Sequence, residues 1–169
     1  FMPWMPMAVE FFNLSDFVLV ISDTSSFAKG VITNSKTLHI CYCHTPTRYL
    51  WSDTHSYIEE LRFNKYFKKL IGLSLNKIRV WDRVAADRVD VFVANSKFIA
   101  KRITKYYRRD SEVIYPPINT AEFKVSDDLG DYFLAGGRLV PYKRFDLLLS
   151  VFKPSGNRLR IVGDGPDAA

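Results

Sequence analysis

The chain has 169 residues, 47% apolar and 15% aromatic, with a net charge of +6. That length holds one domain or parts of two, and that apolar content is enough for a buried core, which excludes a disordered chain. No apolar run approaches the roughly 20 residues of a membrane span, and two cysteines make no disulfide framework, which fits a reducing, cytoplasmic setting.

The start, FMPWMPMAVEFF, lacks the basic segment of a secretion signal and carries Glu10. A chain that opens on Phe1 and stops in GDGPDAA reads as a piece of a longer protein. Asp16–Ser22, DFVLVIS, is a short Val/Ile-rich run predicted to be a buried strand. Ser25–Thr33 reads as a helical turn ended by Gly30, and Thr37–Cys43 as a second strand that Pro46 closes off. Residues 56–80 are predicted helical, with a stripe of Leu61, Tyr66, Phe67, Leu70, Ile71 and Leu75 broken near Gly72. A further helix runs from Asn76 to about Arg88, and a strand covers Val89–Ala94. Asn95 or Ser96 caps a helix over Lys97–Tyr107 whose inner face is Phe98, Ile99, Ile103 and Tyr106.

SEVIYPPIN gives a brief strand and then a proline pair that ends pairing. The polar stretch Asn119–Asp131 reads as a linker. YFLAGGRL is a strand entering a glycine turn, YKRFDLLLSVF a helix with Phe145, Leu148, Leu149 and Phe152 inward, and RLRIVGDGP a last strand with its loop. Strands alternate with helices throughout, which predicts parallel βαβ units and doubly wound sheets, two of them, split near residue 120.

The stretch HICYCHTPTRYLW raises metal and redox readings. His39, Cys41 and Cys43 share one face of a strand. A structural zinc site needs four ligands in paired spacings, and no second cluster exists; Cys-x-Cys is also not the dithiol motif Cys-x-x-Cys. The two thiols read as small apolar groups packed in a strand, and no metal is expected. His44 ends that strand, where α/β sheets gather ligands. There it either touches a substrate and moves protons near neutral pH, or merely satisfies loop carbonyls.

Gly136 and Gly137 let backbone approach a ligand closely. Arg138 follows at once, and Lys143 lies at the first turn of a predicted helix, whose free N–H groups favour phosphate. A guanidinium beside an ammonium makes a diphosphate clamp, the alternative being a glycine turn with two exposed bases. Neither a P-loop nor a GxGxxG turn is present. Gly163 and Asp164 form a second glycine turn, with Asp164 either orienting a sugar hydroxyl or building the turn.

Between residues 62 and 109 stand 14 Lys or Arg against Asp82, Asp87 and Asp90, a local charge of +11. Such a segment is either a solvated helix surface or a face for anionic lipid, nucleic acid or a polyanionic substrate.

HICYCHTPTRYLW, DVFVANSKFIAKRITKYY, VIYPPIN, GGRLVPYKRFDLLL and IVGDGP stand in this order along the chain. Together, from about Met5 to Pro166, they resemble a family 4 glycosyltransferase of the GT-B fold, in the mannosyltransferase-like group of bacteria and archaea. The resemblance implies two Rossmann-like, doubly wound parallel sheets facing a cleft, both incomplete here. Residues 1–120 would be the later part of the N-terminal, acceptor-side domain, and residues 121–169 the start of the C-terminal, nucleotide-sugar-binding domain. It implies a retaining transfer of a hexose, mannose first, from a nucleotide sugar such as GDP-mannose to a glycan or lipid-linked acceptor in polysaccharide biosynthesis, without metal or cofactor.

By the same resemblance Arg138 and Lys143 grip the donor diphosphate beside Gly136 and Gly137. His44 is catalytic near the donor sugar, and Gly163 and Asp164 line the donor loop. Thr47, Ser52–Asp53 and Ser25 depart from the family's usual Met, Trp-Asp and His. The family's Glu-x7-Glu motif would follow residue 169. A lipid-linked acceptor gives the segment 62–109 a role at the inner membrane face, with Phe63, Tyr66 and Phe67 beside Lys65, Lys68 and Lys69, unless those aromatics are core. Two other readings stay open: a non-catalytic nucleotide-sugar-binding protein, and a basic nucleic-acid-binding α/β module, although no RNA or DNA signature is present.

Overall fold

The computed structural model describes residues 2–60, 63–125, 127 and 130–168. Leu61 of the predicted stripe, Arg62 of the basic segment and residues 126, 128 and 129 of the linker lie outside them. The chain is mixed α/β and divides into two compact units, Phe1–Ile118 and Asn119–Ala169.

In the first unit, β1 (Leu19–Thr24), β2 (Leu38–Cys43), β3 (Val91–Ala94) and β4 (Glu112–Val113) form one parallel sheet in that order. Parallel neighbours need crossovers, and helices supply them. α1 (Met5–Glu10) precedes β1, and a 3₁₀ turn at Ala28–Gly30 follows it. α2 (Arg48–Trp51), α3 (Thr54–Glu60) and α4 (Lys65–Ala85) join β2 to β3, and α5 (Lys97–Tyr107) joins β3 to β4.

Register explains the core. Val20 pairs with His39, Ser22 with Cys41 and Thr24 with Cys43, while Cys41 pairs with Phe92 and Cys43 with Ala94, so these residues share one face. Against that face pack Ala86, Val89, Ile99, Ile103 and Tyr107 at one end and Phe27, Val31, Leu75 and Ile78 at the other. The opposite face carries Leu19, Ile21 and Leu38, all exposed. Among the described residues the helices therefore cover one face of this sheet, and the strand order runs without reversal. The second helical layer of a doubly wound sheet is absent from them.

In the first unit local structure departs from the sequence expectation at β1, α4 and α5. β1 starts at Leu19, three residues after Asp16, and leaves Phe17 and Val18 exposed. Gly72 breaks nothing: α4 runs through it for 21 residues, capped by Asn64, whose Oδ1 accepts from Phe67 N at 2.9 Å. A glycine inside a helix costs only about 1 kcal/mol, and the core spacing of Ile71, Leu75, Ile78, Asp82 and Ala85 outweighs it. On α5 the buried residues are Ile99, Ile103 and Tyr107, four apart, while Phe98 is exposed and Tyr106 half-buried. The cap on this helix is Ser96, which accepts from Ile99 N and contributes about 1 kcal/mol.

In the second unit, β5 (Phe133–Gly136) and β6 (Leu159–Val162) pair in parallel, with α6 (Phe145–Ser155) between them. Phe133 and Phe152 meet edge to face at 5.1 Å. Leu149, expected inward, is exposed. Lys143 lies not in the first turn of α6 but in a 3₁₀ turn, Pro141–Lys143. Left-handed Arg144, at φ 55°, separates that turn from the helix.

Candidate functional site

His44 leaves the carboxyl end of β2, its N–H bonded to Thr24 O at 2.9 Å. Tyr42 and His44 are two residues apart and so share a side of the strand, and Tyr42 pairs in register with Asp23 of β1. The result is a dyad: His44 Nε2 lies 2.5 Å from Asp23 Oδ1, with the side chains 45% and 68% exposed. The Tyr42 ring meets the imidazole edge-on at 5.3 Å. Asn95, after β3, donates to His44 O at 3.3 Å. A carboxylate beside one ring nitrogen fixes the orientation of an imidazole. Sequence reading singled out His44 and missed Asp23. The available signal was an acid at the end of an apolar strand, a position meant for ligands rather than for burial.

His39, Cys41 and Cys43 do line one face, and it is the buried one. His39 Nε2 meets Ser22 Oγ at 2.9 Å, its Nδ1 has no partner, and burial holds the imidazole below its ordinary value. Hydrogen bonding between the thiols pulls Cys41 down and, with burial, pushes Cys43 up. They pack as apolar groups beneath α5. Among the described residues no three His, Cys, Asp or Glu side chains gather as a metal site.

At the carboxyl ends of β5 and β6 two glycine turns press together. Gly137 N donates to Val162 O and Leu139 N to Asp164 O, both at 2.9 Å. A Cβ on Gly163 would sit 1.9 Å from Gly137 O, and one on Gly165 would sit 2.1 Å from Leu139 O. Only glycine permits backbones this close. At Gly137, φ is 138°, and a Cβ there would lie 2.6 Å from Lys143 Nζ. The missing side chain makes room for the ammonium, folded back over the strand end. Arg138 is exposed on the same turn. Asp164 Oδ1 accepts from Gly165 N at 2.7 Å, so its carboxylate builds the turn. The structure thus brings Gly136, Gly137, Lys143, Gly163 and Asp164 into one cluster in this unit, and His44 stands in the other unit beside Asp23.

The basic segment is split in use. Arg79 donates to Leu50 O, Arg88 to Glu10 and to Gly30 O, and Arg109 to the carbonyls of Ala86, Val89 and Asp90. These arginines tie the fold. Tyr66, Phe67, Leu70 and Leu73 instead follow helical spacing on the solvent side of α4, with Phe63 just before it, all 49–76% exposed. They are not core. No helix among the described residues is long and apolar enough to cross a membrane. Comparison with known protein families finds none that matches this chain, and comparison with curated proteins finds no match either.

Proposed function

We propose that the chain is part of a retaining glycosyltransferase of GT-B type that moves a hexose, mannose first, from a nucleoside diphosphate sugar to a glycan or lipid-linked acceptor. The observation that carries this reading is the ammonium of Lys143 set over Gly137 at the end of β5, beside the Gly163–Gly165 turn. In the reaction the acceptor oxygen bonds to the sugar's anomeric carbon. The bond from that carbon to the diphosphate breaks, and its electron pair leaves with the nucleotide. The acceptor's proton follows to the departing phosphate. Charge grows on the diphosphate, and cations already in place stabilise it without reorganising. Arg138 and Lys143 take that role. His44, oriented by Asp23, hydrogen-bonds the transferring sugar.

The lipid surface belongs to the same reading. The exposed stripe of α4 has Lys65 and Lys69 on its solvent edge, and the only acid in that helix, Asp82, is buried. An aromatic stripe edged by ammonium groups matches the interface of an anionic bilayer.

Calorimetric titration with a nucleoside diphosphate sugar, the diphosphate, and the monophosphate tests the clamp. Binding should require the diphosphate, and Arg138→Ala or Lys143→Ala should weaken it or slow turnover at least tenfold, within the roughly 2.7–4 kcal/mol of one such donor. Equal binding of mono- and diphosphate, or unchanged variants, overturns the assignment.

A further inference from the structure

Asp82 is fully buried in the middle of the first unit, on the core side of α4. Four donors converge on its carboxylate. Lys29 Nζ and Thr47 Oγ1 reach Oδ1 at 2.5 and 2.8 Å, while Trp51 Nε1 and Tyr107 OH reach Oδ2 at 2.8 and 2.9 Å. A carboxylate has about four lone-pair sites, so this one is saturated. Its donors come from three separate pieces of chain: the turn after β1, the segment that runs from the loop after β2 into α2, and α5. Burial and the nearby Asp82 charge hold the Tyr107 hydroxyl well above its ordinary value, so it stays a donor.

Two of the four donors, Thr47 and Trp51, belong to the segment that carries His44. Thr47 is held a second way, because its N–H faces Tyr107 OH at 3.4 Å. From His44 to Thr47 is three residues, and one of them is Pro46, itself fully buried. Proline has a fixed φ, so little slack remains between the anchored threonine and the imidazole. Trp51 is further clamped by stacking on Tyr106 at 5.1 Å.

We infer that Asp82 is the positioning residue of the strand-end site: through Thr47 and Trp51 it fixes the loop that holds His44 against Asp23. A saturated, charge-assisted acceptor is the stiffest tether available for such a loop, because each bond to an ionised group is stronger than a neutral one. The role rests on His44 being functional, as proposed above. The tether itself stands on the contacts alone.

Asp82→Asn leaves Lys29 buried without its counter-charge and is expected to impair folding, so the test uses the loop partner. Thr47→Val keeps the shape and removes the hydroxyl, and Thr47→Ser keeps the hydroxyl. In the full chain, amide exchange across residues 44–51 should quicken at least about tenfold in Thr47→Val, with β2 and α5 unchanged and Thr47→Ser like the wild type. Transfer kinetics should show a lower kcat at unchanged donor KM in the valine variant, restored by serine. Exchange that is unaltered at 44–51, or that rises evenly over the whole unit, overturns the tether. A tethered loop with unchanged kcat overturns the positioning role. If the wild type transfers no sugar from any nucleotide donor, the glycosyltransferase reading falls and the positioning role falls with it, while exchange still decides the tether.

Discussion

Asp23 pairs with Tyr42 across β1 and β2, and His44 stands two residues beyond Tyr42 on the same side of the sheet. Parallel register alone therefore delivers a carboxylate to the imidazole. His44→Ala should lower kcat by about a hundredfold, the lower end for a positioned acid–base or polar group. Asp23→Asn should cost less, because it orients rather than reacts. Initial rates at saturating donor measure both. Wild-type kcat in both variants would remove the dyad from the reaction.

The glycines of the second unit make a graded series. At Gly136 a Cβ would have no neighbour nearer than 3.8 Å, and Gly136→Ala should melt like the wild type. Gly163→Ala combines a φ of 154° with a Cβ placed 1.9 Å from backbone oxygen, which cannot swing aside. It should lose at least about 1–3 kcal/mol of stability. Gly137→Ala meets only the mobile tip of Lys143, so beyond its backbone strain it should lose donor affinity. Thermal melting paired with diphosphate titration separates the three, and identical melting of the 136 and 163 variants would refute the packing described.

Burial lowers the His39 pKa below its ordinary 6.5, against a smaller upward pull from Asp90. The unfolded chain therefore takes up a proton near pH 6.5 that the folded chain refuses. Stability from this group is complete above 6.5 and declines as pH falls through 6.5 toward the folded value, by up to about 1.4 kcal/mol per pH unit. Glu10 acts in a lower range, because the Trp81 hydrogen bond, reinforced by Arg88, holds it below its ordinary 4.5. Urea unfolding from about pH 7 to 5 should show the loss, and His39→Gln, which can still bond Ser22, should flatten it. An equally steep decline in both proteins would contradict the assignment.

For the stripe on α4, co-sedimentation with vesicles is the measurement. Binding should be strong on anionic vesicles and weak on zwitterionic ones. Exchanging Lys65 and Lys69 for Glu should reduce it at least about tenfold, at roughly 1 kcal/mol for each cation near the surface. Phe67→Ser with Leu70→Ser should do the same at any lipid charge. Indifference to both changes would leave the stripe as plain solvent-exposed surface.

Much of the fold was readable because period and punctuation agree. The alternation of HICYC places His39, Cys41 and Cys43 on one face, and Ser96 before KFIAKRITKYY marks a helix start that the structure matches residue for residue. What sequence could not show depends on partners far along the chain. Tyr107 rather than Tyr106 turns inward because the Asp82 carboxylate awaits its hydroxyl. Gly72 stays helical because Leu75 and Ile78 bury beyond it. Asp23 joins His44 only once strands 21 residues apart lie side by side. Lys143 is set by a φ sign at Gly137, which no pattern of residue types displays.

The one-sided cover of the first sheet has a mechanical consequence. Leu19, Ile21 and Leu38 look out onto water, so among the described residues β1 and β2 lean on a single layer of helices. Loosening Ile103 or Tyr107 then peels that layer from Phe92. Failure of this unit should begin at the α5 seam and spread inward, and amide protons of β3 should lose protection together with those of α5.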